Sequence, residues 1–441
     1  MSSLNARPRN GLQTQTVNHY GTVVRNVSPQ QKLMRLSLAN LLWENQFYID
    51  GVKTADQVAN LVKVVDPQFT AQLAEVARST FKLRHIPLLL TRELARIGKL
   101  KAQTLTNVIQ RPDEMSEFLS IYWKDGKVPI SAQVKKGLAN AFLKFNEYSL
   151  AKWDKNSSAI KLRDVLFLVH AKPQSPLQEL LFQKVAAGTL ATPDTWETQL
   201  SAGADKAETF TRLLMEKKIG ALAFLKNLRN MQESGVSDQL IRNYAKTLDV
   251  SKVLPFRYIA AARVVPQYEN MLEAMMLRSL DGVEKLKGKT KIYIDTSGSM
   301  FGTKVSARSD LDRFDAAAAL AVLCREICEE VEIFAFTTDV VRVAPRRGFA
   351  LVEAIRGALP VGETDLGQAL AKTKGNADRV IVFTDGESSA VGAPFCGAKG
   401  YMVNVSAYEN GVSHGDWLEV NGFSEAVLSY IQAVESQDSA A

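Results

Sequence analysis

The chain has 441 residues, 46% of them hydrophobic, with a formal net charge of +7. At roughly 100–200 residues per domain, this length predicts two or three globular domains. The sequence has no run of about 18 apolar residues, so no membrane-spanning helix is expected. The first 29 residues are polar and basic and lack the apolar core of a secretory signal. We therefore interpret residues 1–29 as a flexible N-terminal arm.

The three cysteines do not suggest a zinc site. Cys324 and Cys328 are four residues apart on a predicted helix and have no histidine nearby. We interpret them as helix core, and a cytoplasmic location fits the small, odd number of cysteines.

Charge is distributed unevenly along the chain. Residues 1–288 contain 40 Lys and Arg against 26 Asp and Glu, a net charge of +14. The remainder contains 14 basic against 21 acidic residues, a net charge of −7. This asymmetry indicates a polyanion-binding region joined to a different unit. The alternative is a basic surface that is merely solvated.

Residues 30–288 show helical periodicity in one segment after another. The first predicted helix, Gln31–Glu44, has apolar residues at helical spacing, and a long one is predicted at Ala132–Tyr148. Several helices have proline near the first turn, where its missing N–H costs little. The series, which continues to Tyr268–Leu286, predicts an irregular α-solenoid of stacked helices. A compact helical bundle is the alternative.

Strands alternate with helices from Lys289 to the end. The predicted strands include Lys291–Asp295, Glu332–Phe336, Arg379–Phe383 and Tyr401–Val405, and the long Ala-rich helix Phe314–Val331 lies among them. This alternation predicts a mostly parallel, doubly wound sheet. In such sheets, ligands bind beyond the carboxyl ends of the strands.

Oxygen-bearing side chains follow the predicted strands at that edge. The motif Asp-x-Ser-x-Ser comes directly after the first strand, a threonine follows in a later loop, and an aspartate ends the strand at Phe383. Hydroxyls and carboxylates are the ligands of hard cations, so we predict a divalent metal site, with Mg²⁺ first and Mn²⁺ or Ca²⁺ as alternatives. The predicted ligands are Asp295, Ser297, Ser299, Thr364 and Asp385.

Three observations argue against an enzyme. A phosphotransferase of the Asp-x-Asp type needs a carboxylate where this chain has Ser297. Ser299 has no histidine in a triad-like context, and no phosphate-binding Gly-Lys loop is present. We therefore expect no catalytic residues.

A basic stretch lies in the middle of the helical region, between about residues 135 and 163. It contains Tyr148 and Trp153 among its lysines. Cations neutralise phosphates and aromatic rings stack on unpaired bases, so the stretch is a candidate RNA surface. We interpret the two aromatic residues as helix core and the lysines as RNA-binding. The predicted lysines are Lys135, Lys136, Lys144, Lys152 and Lys155.

Two resemblances extend these interpretations. The Asp-x-Ser-x-Ser motif, the distal Thr364 and the strand-end Asp385 resemble the metal-ion-dependent adhesion site of von Willebrand A domains. The helical region resembles the TROVE family of Ro-type RNA-binding proteins, including its bacterial Ro-like members. That resemblance is carried mainly by residues 164–173, with the sequence DVLFLVHAKP, and residues 220–231, with the sequence GALAFLKNLRNM.

The resemblances imply a fold and a function. The implied fold is a HEAT-like α-solenoid ring of residues 30–288, closed by a von Willebrand A domain of residues 289–441. They imply a monomeric ring that binds small non-coding, Y-like RNA and the single-stranded 3′ ends of misfolded RNA, in RNA quality control and with an exoribonuclease. His170 and Lys172 lie where the family's loop touches RNA. No DNA or membrane partner is expected.

A second hypothesis remains open. In this alternative the protein is an interaction scaffold whose metal grips an acidic side chain of a partner. Replacing Asp295 would abolish partner capture under this hypothesis and leave RNA binding intact under the first.

Overall fold

A computed structural model describes most of the chain. The described residues are 28–39, 51–154, 158–251, 253, 256–304, 311–358, 361–386, 393–395, 397–405, 417–421 and 426–438. The predicted N-terminal arm falls almost entirely outside them. Within them, no helix combines the length and the apolar composition needed to cross a bilayer.

Helices account for the described residues before the first strand, as the periodicity predicts. Their bounds are α1 Pro29–Ala39, α2 Gly51–Val64, α3 Pro67–Ser79, α4 His85–Arg96, α5 Ala102–Val108, α6 Asp113–Tyr122, α7 Ala132–Phe142, α8 Glu147–Trp153, α9 Leu162–Val169, α10 Pro176–Ala187, α11 Trp196–Ser201, α12 Lys206–Met215, α13 Ala221–Glu233, α14 Asp238–Thr247, α15 Phe256–Val264 and α16 Glu269–Ser279.

Local sequence explains where many of these helices begin. Ser175 takes an extended backbone and its side chain accepts a hydrogen bond from the N–H of Gln178, with Pro176 in the first turn. Asp66 and Pro67 begin α3 in the same way. A side-chain oxygen that accepts an otherwise unpaired N–H, followed by proline, is a strong helix start.

Two helix predictions are wrong. The single helix predicted at Ala132–Tyr148 is two helices, because Asn146 leaves the helical conformation and caps α8 by accepting from the N–H of Ser149. Helix α2 was not predicted, and it begins at Gly51, a residue that disfavours helix interiors.

The helices pack in two parallel series. In one, α3 contacts α5, α5 contacts α7 and α7 contacts α9; in the other, α2 contacts α4, α4 contacts α6 and α6 contacts α9. Beyond α12 the arrangement is repeated, since α13 contacts α15 and α14 contacts α16. Each helix therefore buries its apolar face against its neighbours in both directions, as the prediction of stacked helices requires.

A six-stranded sheet with associated helices forms the C-terminal part. The bounds are β1 Leu286–Asp295, α17 Arg313–Ile327, β2 Cys328–Phe336, β3 Val340–Arg342, α18 Gly348–Arg356, α19 Leu366–Lys372, β4 Arg379–Thr384, β5 Lys399–Asn404, β6 Trp417–Asn421 and α20 Ala426–Asp438. The strand order is β3-β2-β1-β4-β5-β6. All neighbours are parallel except β2 and β3, which form an antiparallel hairpin.

Both faces of the sheet are covered. Along β1, Ile292 and Ile294 pack in the core cluster that contains α17, whereas Tyr293 packs on the other face with Leu366 and Leu370 of α19. Successive strand residues point to opposite faces, so this alternation means that the sheet is buried on both sides. The predicted doubly wound arrangement agrees with this observation.

One predicted boundary was wrong in a way that affects the cysteines. Helix α17 ends at Ile327 and strand β2 begins at Cys328, not at Glu332. Only Cys324 is therefore helix core, while Cys328 is a buried strand residue, and both are free thiols. Strand β6 was also not predicted.

The sheet region contacts the helical region at two separate places. Helices α15 and α16 pack against α17 and α18, and the first helix, α1, packs against α20 and β6. At the first contact, the carboxylate of Asp315 pairs with Arg263 of α15 and with Arg356 of α18. Asp315 is only 4% exposed, so this ion pair network is part of the packed interface.

Candidate functional sites

The predicted metal residues lie at the carboxyl edge of the sheet. Strand β1 ends at Asp295, and the neighbouring parallel strand β4 ends at Thr384, directly before Asp385. Both carboxylates are almost fully buried. The two segments that are 90 residues apart in sequence are therefore adjacent in space, as the predicted topology requires.

Hydrogen bonds fix the Asp295 carboxylate. Its Oδ1 accepts from the backbone N–H of Ser297 at 2.9 Å, and its Oδ2 accepts from the hydroxyl of Thr384 at 2.7 Å. The hydroxyl oxygens of Ser297 and Ser299 are 3.3 Å apart. The loop therefore presents the carboxylate and two hydroxyls close together.

The third segment reaches the same loop. The N–H of Gly298 donates to the carbonyl of Gly362 at 3.1 Å, which holds the loop containing Thr364 against the Asp-x-Ser-x-Ser turn. Thr364 is half-buried. Asp365 caps α19 by accepting from the N–H of Gln368, so its role is structural, in agreement with its exclusion from the predicted ligands.

The carboxylate of Asp295 is buried at this edge of the sheet, next to a second carboxylate. Burial raises the pKa of Asp295 to about 6, the nearby Asp385 adds to the rise, and the hydrogen bonds from Ser297 and Thr384 oppose it. A buried carboxylate next to another is costly unless a cation lies close by.

Arg313 is a functional residue that sequence reasoning missed. Its Nη1 lies 2.8 Å from Oδ2 of Asp385, and both side chains are buried. The same nitrogen lies 3.4 Å from the carbonyl of Ser299. The one available signal was a basic residue in the first turn of α17, where the helix dipole favours acids.

The donor set fits a hard divalent cation. It consists of two carboxylates and the hydroxyls of Ser297, Ser299 and Thr364, all oxygen donors. Among the described residues, no three His, Cys, Asp or Glu side chains converge, so the candidate site has few anionic ligands. With Arg313 offsetting one of the two negative charges, such a site would leave a bound cation electrophilic toward an external anion.

The predicted RNA-binding lysines differ in their surroundings. Lys136 on α7 and Lys152 on α8 are exposed, and Lys135 is half-buried. Lys144 is also an exposed residue, but its Nζ donates to the carbonyl of Thr106 at 2.7 Å and to that of Ile109 at the end of α5. Burial lowers the pKa of Lys144. The predicted Lys155 lies outside the described residues.

The aromatic residues of the stretch also differ. Tyr148 is 46% exposed, so the interpretation of this residue as core is wrong. Trp153 is half-buried, and the guanidinium of Arg111 lies 3.7 Å from its ring centroid. The Nζ of Lys152 lies 5.8 Å from the centroids of both aromatic rings. The exposed cation of Lys152 and the exposed ring of Tyr148 therefore share this surface.

His170 and Lys172 are exposed in the turn between α9 and α10. His170 ends α9 with φ 53° and ψ 46°, a left-handed conformation that turns the chain sharply. Phe167, one helical turn earlier, is 59% exposed. Sequence reasoning missed Phe167, because it lies within an apolar run that gives no sign of which residue faces solvent.

Comparisons with known proteins agree with the sequence resemblance. Residues 180–294 match the model of the TROVE domain. The crystal structure of the Deinococcus radiodurans Ro (RSR) protein matches with a TM-score of 0.67 and 18% sequence identity, and the match covers 92% of this chain and 99% of that chain. Residues 180–294 are therefore similar to the TROVE domain, and the chain shares the fold of that Ro protein, in agreement with the resemblance that its sequence predicted.

Proposed function

We propose that this protein binds RNA through the basic surface of its helical region, as part of a ribonucleoprotein. The observation that carries the proposal is the exposure of Lys136, Lys152, His170 and Lys172, with exposed Tyr148 next to Lys152, in a region of net charge +14. Cations of this kind neutralise phosphates, and an exposed ring can stack on an unpaired base. The TROVE match and the Ro fold support the same function.

The RNA that we propose is a small, structured, non-coding RNA of the Y-like kind, together with single-stranded 3′ ends of misfolded RNA. We propose a role in cytoplasmic RNA quality control or processing, with an exoribonuclease as a partner. The support is the resemblance of the DVLFLVHAKP and GALAFLKNLRNM segments to the family. Sequencing the RNA that co-purifies with the protein tests this step, and recovery of bulk, unselected RNA would contradict it.

We further propose that the helices form a monomeric ring closed by a von Willebrand A domain. The support is the pair of separate contacts that the sheet region makes, through α17 and α18 with the last helices and through α20 and β6 with the first. The strand order and the Asp295 loop support the domain assignment. Small-angle scattering tests the closure, since an open solenoid would give a larger radius of gyration.

We propose that the Asp295 site holds a divalent cation with a structural or partner-binding role, Mg²⁺ in the first instance. Asp295, Ser297, Ser299, Thr364 and Asp385 would hold it. The buried, unneutralised carboxylate of Asp295 supports this proposal. Titration with Mn²⁺, followed by its electron paramagnetic resonance signal, tests it: the Asp295→Ala variant should not bind the ion.

Equilibrium binding of a stem-loop RNA at increasing salt concentration tests the central proposal. The slope of log affinity against log salt should be steep, because phosphate contacts release counterions. Affinity should fall in Lys136→Gln and Lys172→Gln and stay unchanged in Asp295→Ala. Absence of binding, or binding that salt does not weaken, would sink the proposal. Intact RNA after incubation with Mg²⁺ would agree with a non-catalytic protein.

A second candidate function is a scaffold that grips an acidic partner residue through the cation. The specific observation in its favour is the small number of anionic donors, which leaves a bound cation electrophilic. Pull-downs with the intact protein and with Asp295→Ala separate the two functions. Loss of a captured protein in the variant, with RNA binding unchanged, would support the scaffold.

A further inference from the structure

A groove between α13 and α15 combines positive charge with apolar surface. Its volume is about 280 Å³, and its charged lining residues are all basic: Lys226, Arg229 and Arg257. It lies on helices that are separate from α7–α10, which carry the predicted RNA residues.

The helical period explains how the groove forms. Leu222, Lys226 and Arg229 recur at spacings of four and three residues, so they share one face of α13. Arg257 and Val264 are seven residues apart and share one face of α15 in the same way. Since α13 and α15 pack against each other, the two faces bring three cations to one groove.

The surroundings leave much of this charge exposed. Lys226 and Arg257 are exposed residues. Arg229 has one weak ion pair, with Glu233 at 3.8 Å, and both side chains are 62% exposed. Exposed pairs of this kind contribute little, so an incoming anion can displace Glu233.

The groove also has an apolar part. Leu222 is 43% exposed and Val264 is 51% exposed at its rim. Asn230, half-buried beside them, adds an amide that can hydrogen-bond to a base or a sugar. Apolar side chains next to several cations suit a ligand that is anionic at one end and flat or apolar at the other.

We infer that the α13–α15 groove binds one or two nucleotides of single-stranded RNA, with a phosphodiester at Lys226, Arg229 and Arg257 and the sugar and base against Leu222 and Val264. The groove volume of about 280 Å³ is below the roughly 300–1,000 Å³ of sites for drug-sized ligands, so the groove can take only a short piece of a strand. The guanidinium groups can stack on a base as well as pair with its phosphate. This inference rests on the proposed RNA binding and assigns a second site to it.

The test uses the full chain and two RNA probes, a fluorescent oligouridylate of about ten nucleotides and a blunt stem-loop. The groove variant is Arg229→Gln with Arg257→Gln, and both residues are exposed, so folding should be retained. The matched control is Lys206→Gln with Lys246→Gln, which removes the same charge from exposed positions on α12 and α14.

The groove variant should bind the oligouridylate roughly tenfold more weakly, and its salt slope should fall by about 1.4, or 0.7 for each lost phosphate contact with a single strand. Its affinity for the stem-loop should match that of the wild type, and the control should match the wild type for both probes. Leu222→Ser should weaken binding of the oligouridylate without changing the salt slope of that binding.

Each other outcome counts against a specific claim. Equal oligouridylate affinity for the groove variant and the control overturns the groove inference, while stem-loop binding keeps the proposed function. Failure of the wild type to bind either RNA overturns both. If the groove variant loses binding of a fluorescent polyglutamate peptide but keeps the wild-type affinity for the oligouridylate, the groove takes an acidic peptide, and this also overturns the inference.

Discussion

Replacing Arg313 with methionine tests how the candidate metal site is neutralised. The Nη1 of Arg313 lies 2.8 Å from the carboxylate of Asp385, whose side chain is fully buried. Asp385 also lies close enough to Asp295 for its negative charge to raise the pKa of Asp295. Removing one partner of a buried ion pair costs about 3–5 kcal/mol, because the other charge stays buried without compensation. We expect Arg313→Met to lose about this much free energy of unfolding in metal-free buffer.

A divalent cation should restore much of that loss. A ligand present at one hundred times its dissociation constant stabilises the folded state by about 2.7 kcal/mol. In the wild type, Arg313 opposes the cation by repulsion, so Mg²⁺ or Mn²⁺ should stabilise the wild type less than the variant. Urea unfolding with and without the cation measures both effects.

Two further variants make this prediction decisive. Lys372→Met removes a charge from an exposed pair with Asp339, and such pairs contribute about 0–1 kcal/mol, so its stability should barely change. Arg313→Met combined with Asp385→Asn removes both buried charges and should recover stability without gaining cation dependence. If Arg313→Met is no more sensitive to Mg²⁺ than the wild type, Arg313 is not the counter-charge of this site.

Three further predictions concern the helical region and its contact with the sheet. Lys136→Gln should lower the salt slope of stem-loop binding by about one. Lys144→Met should leave that slope unchanged and destabilise the fold, because the Lys144 ammonium satisfies two carbonyls at the end of α5. Equal slopes for the two variants would contradict this. Glu114→Gln should lower the free energy of unfolding, measured in urea, by about 3–5 kcal/mol, because it leaves buried Arg78 without its counter-charge. A loss below about 1 kcal/mol would refute that reasoning. Asp315→Asn should speed amide hydrogen exchange in α15 and leave the exchange rates of α3–α6 unchanged, because the carboxylate joins α15 to the sheet region. Unchanged exchange in α15 would show that the ion pairs do not hold this contact.

The position of the Asp-x-Ser-x-Ser loop at the end of a strand could be predicted because its geometry is local. The run Lys291–Asp295 is a buried strand, and Ser297 and Ser299 follow it within one turn, so nothing distant decides their position. Arg313 could not be found in this way, since its partner Asp385 is 72 residues away and only the folded sheet brings the two together.

The basic surface was harder to predict because the sequence does not show which lysine side chains are hydrogen-bonded within the fold. Lys136 and Lys144 lie eight residues apart and both are exposed residues, yet the ammonium of Lys144 donates to the end of a neighbouring helix. Tyr148 was interpreted as core on a helix predicted to run from Ala132 to Tyr148, but α7 ends at Phe142 and α8 begins at Glu147. The helix break changes which side chains face solvent.

Binding of a stem-loop RNA between about 50 and 200 mM salt tests the central claim most directly. The account predicts that affinity falls steeply over this range, and that Lys136→Gln and Lys172→Gln weaken binding while Asp295→Ala does not. A flat salt dependence, or a loss of RNA binding only in Asp295→Ala, would contradict RNA binding by the helical surface.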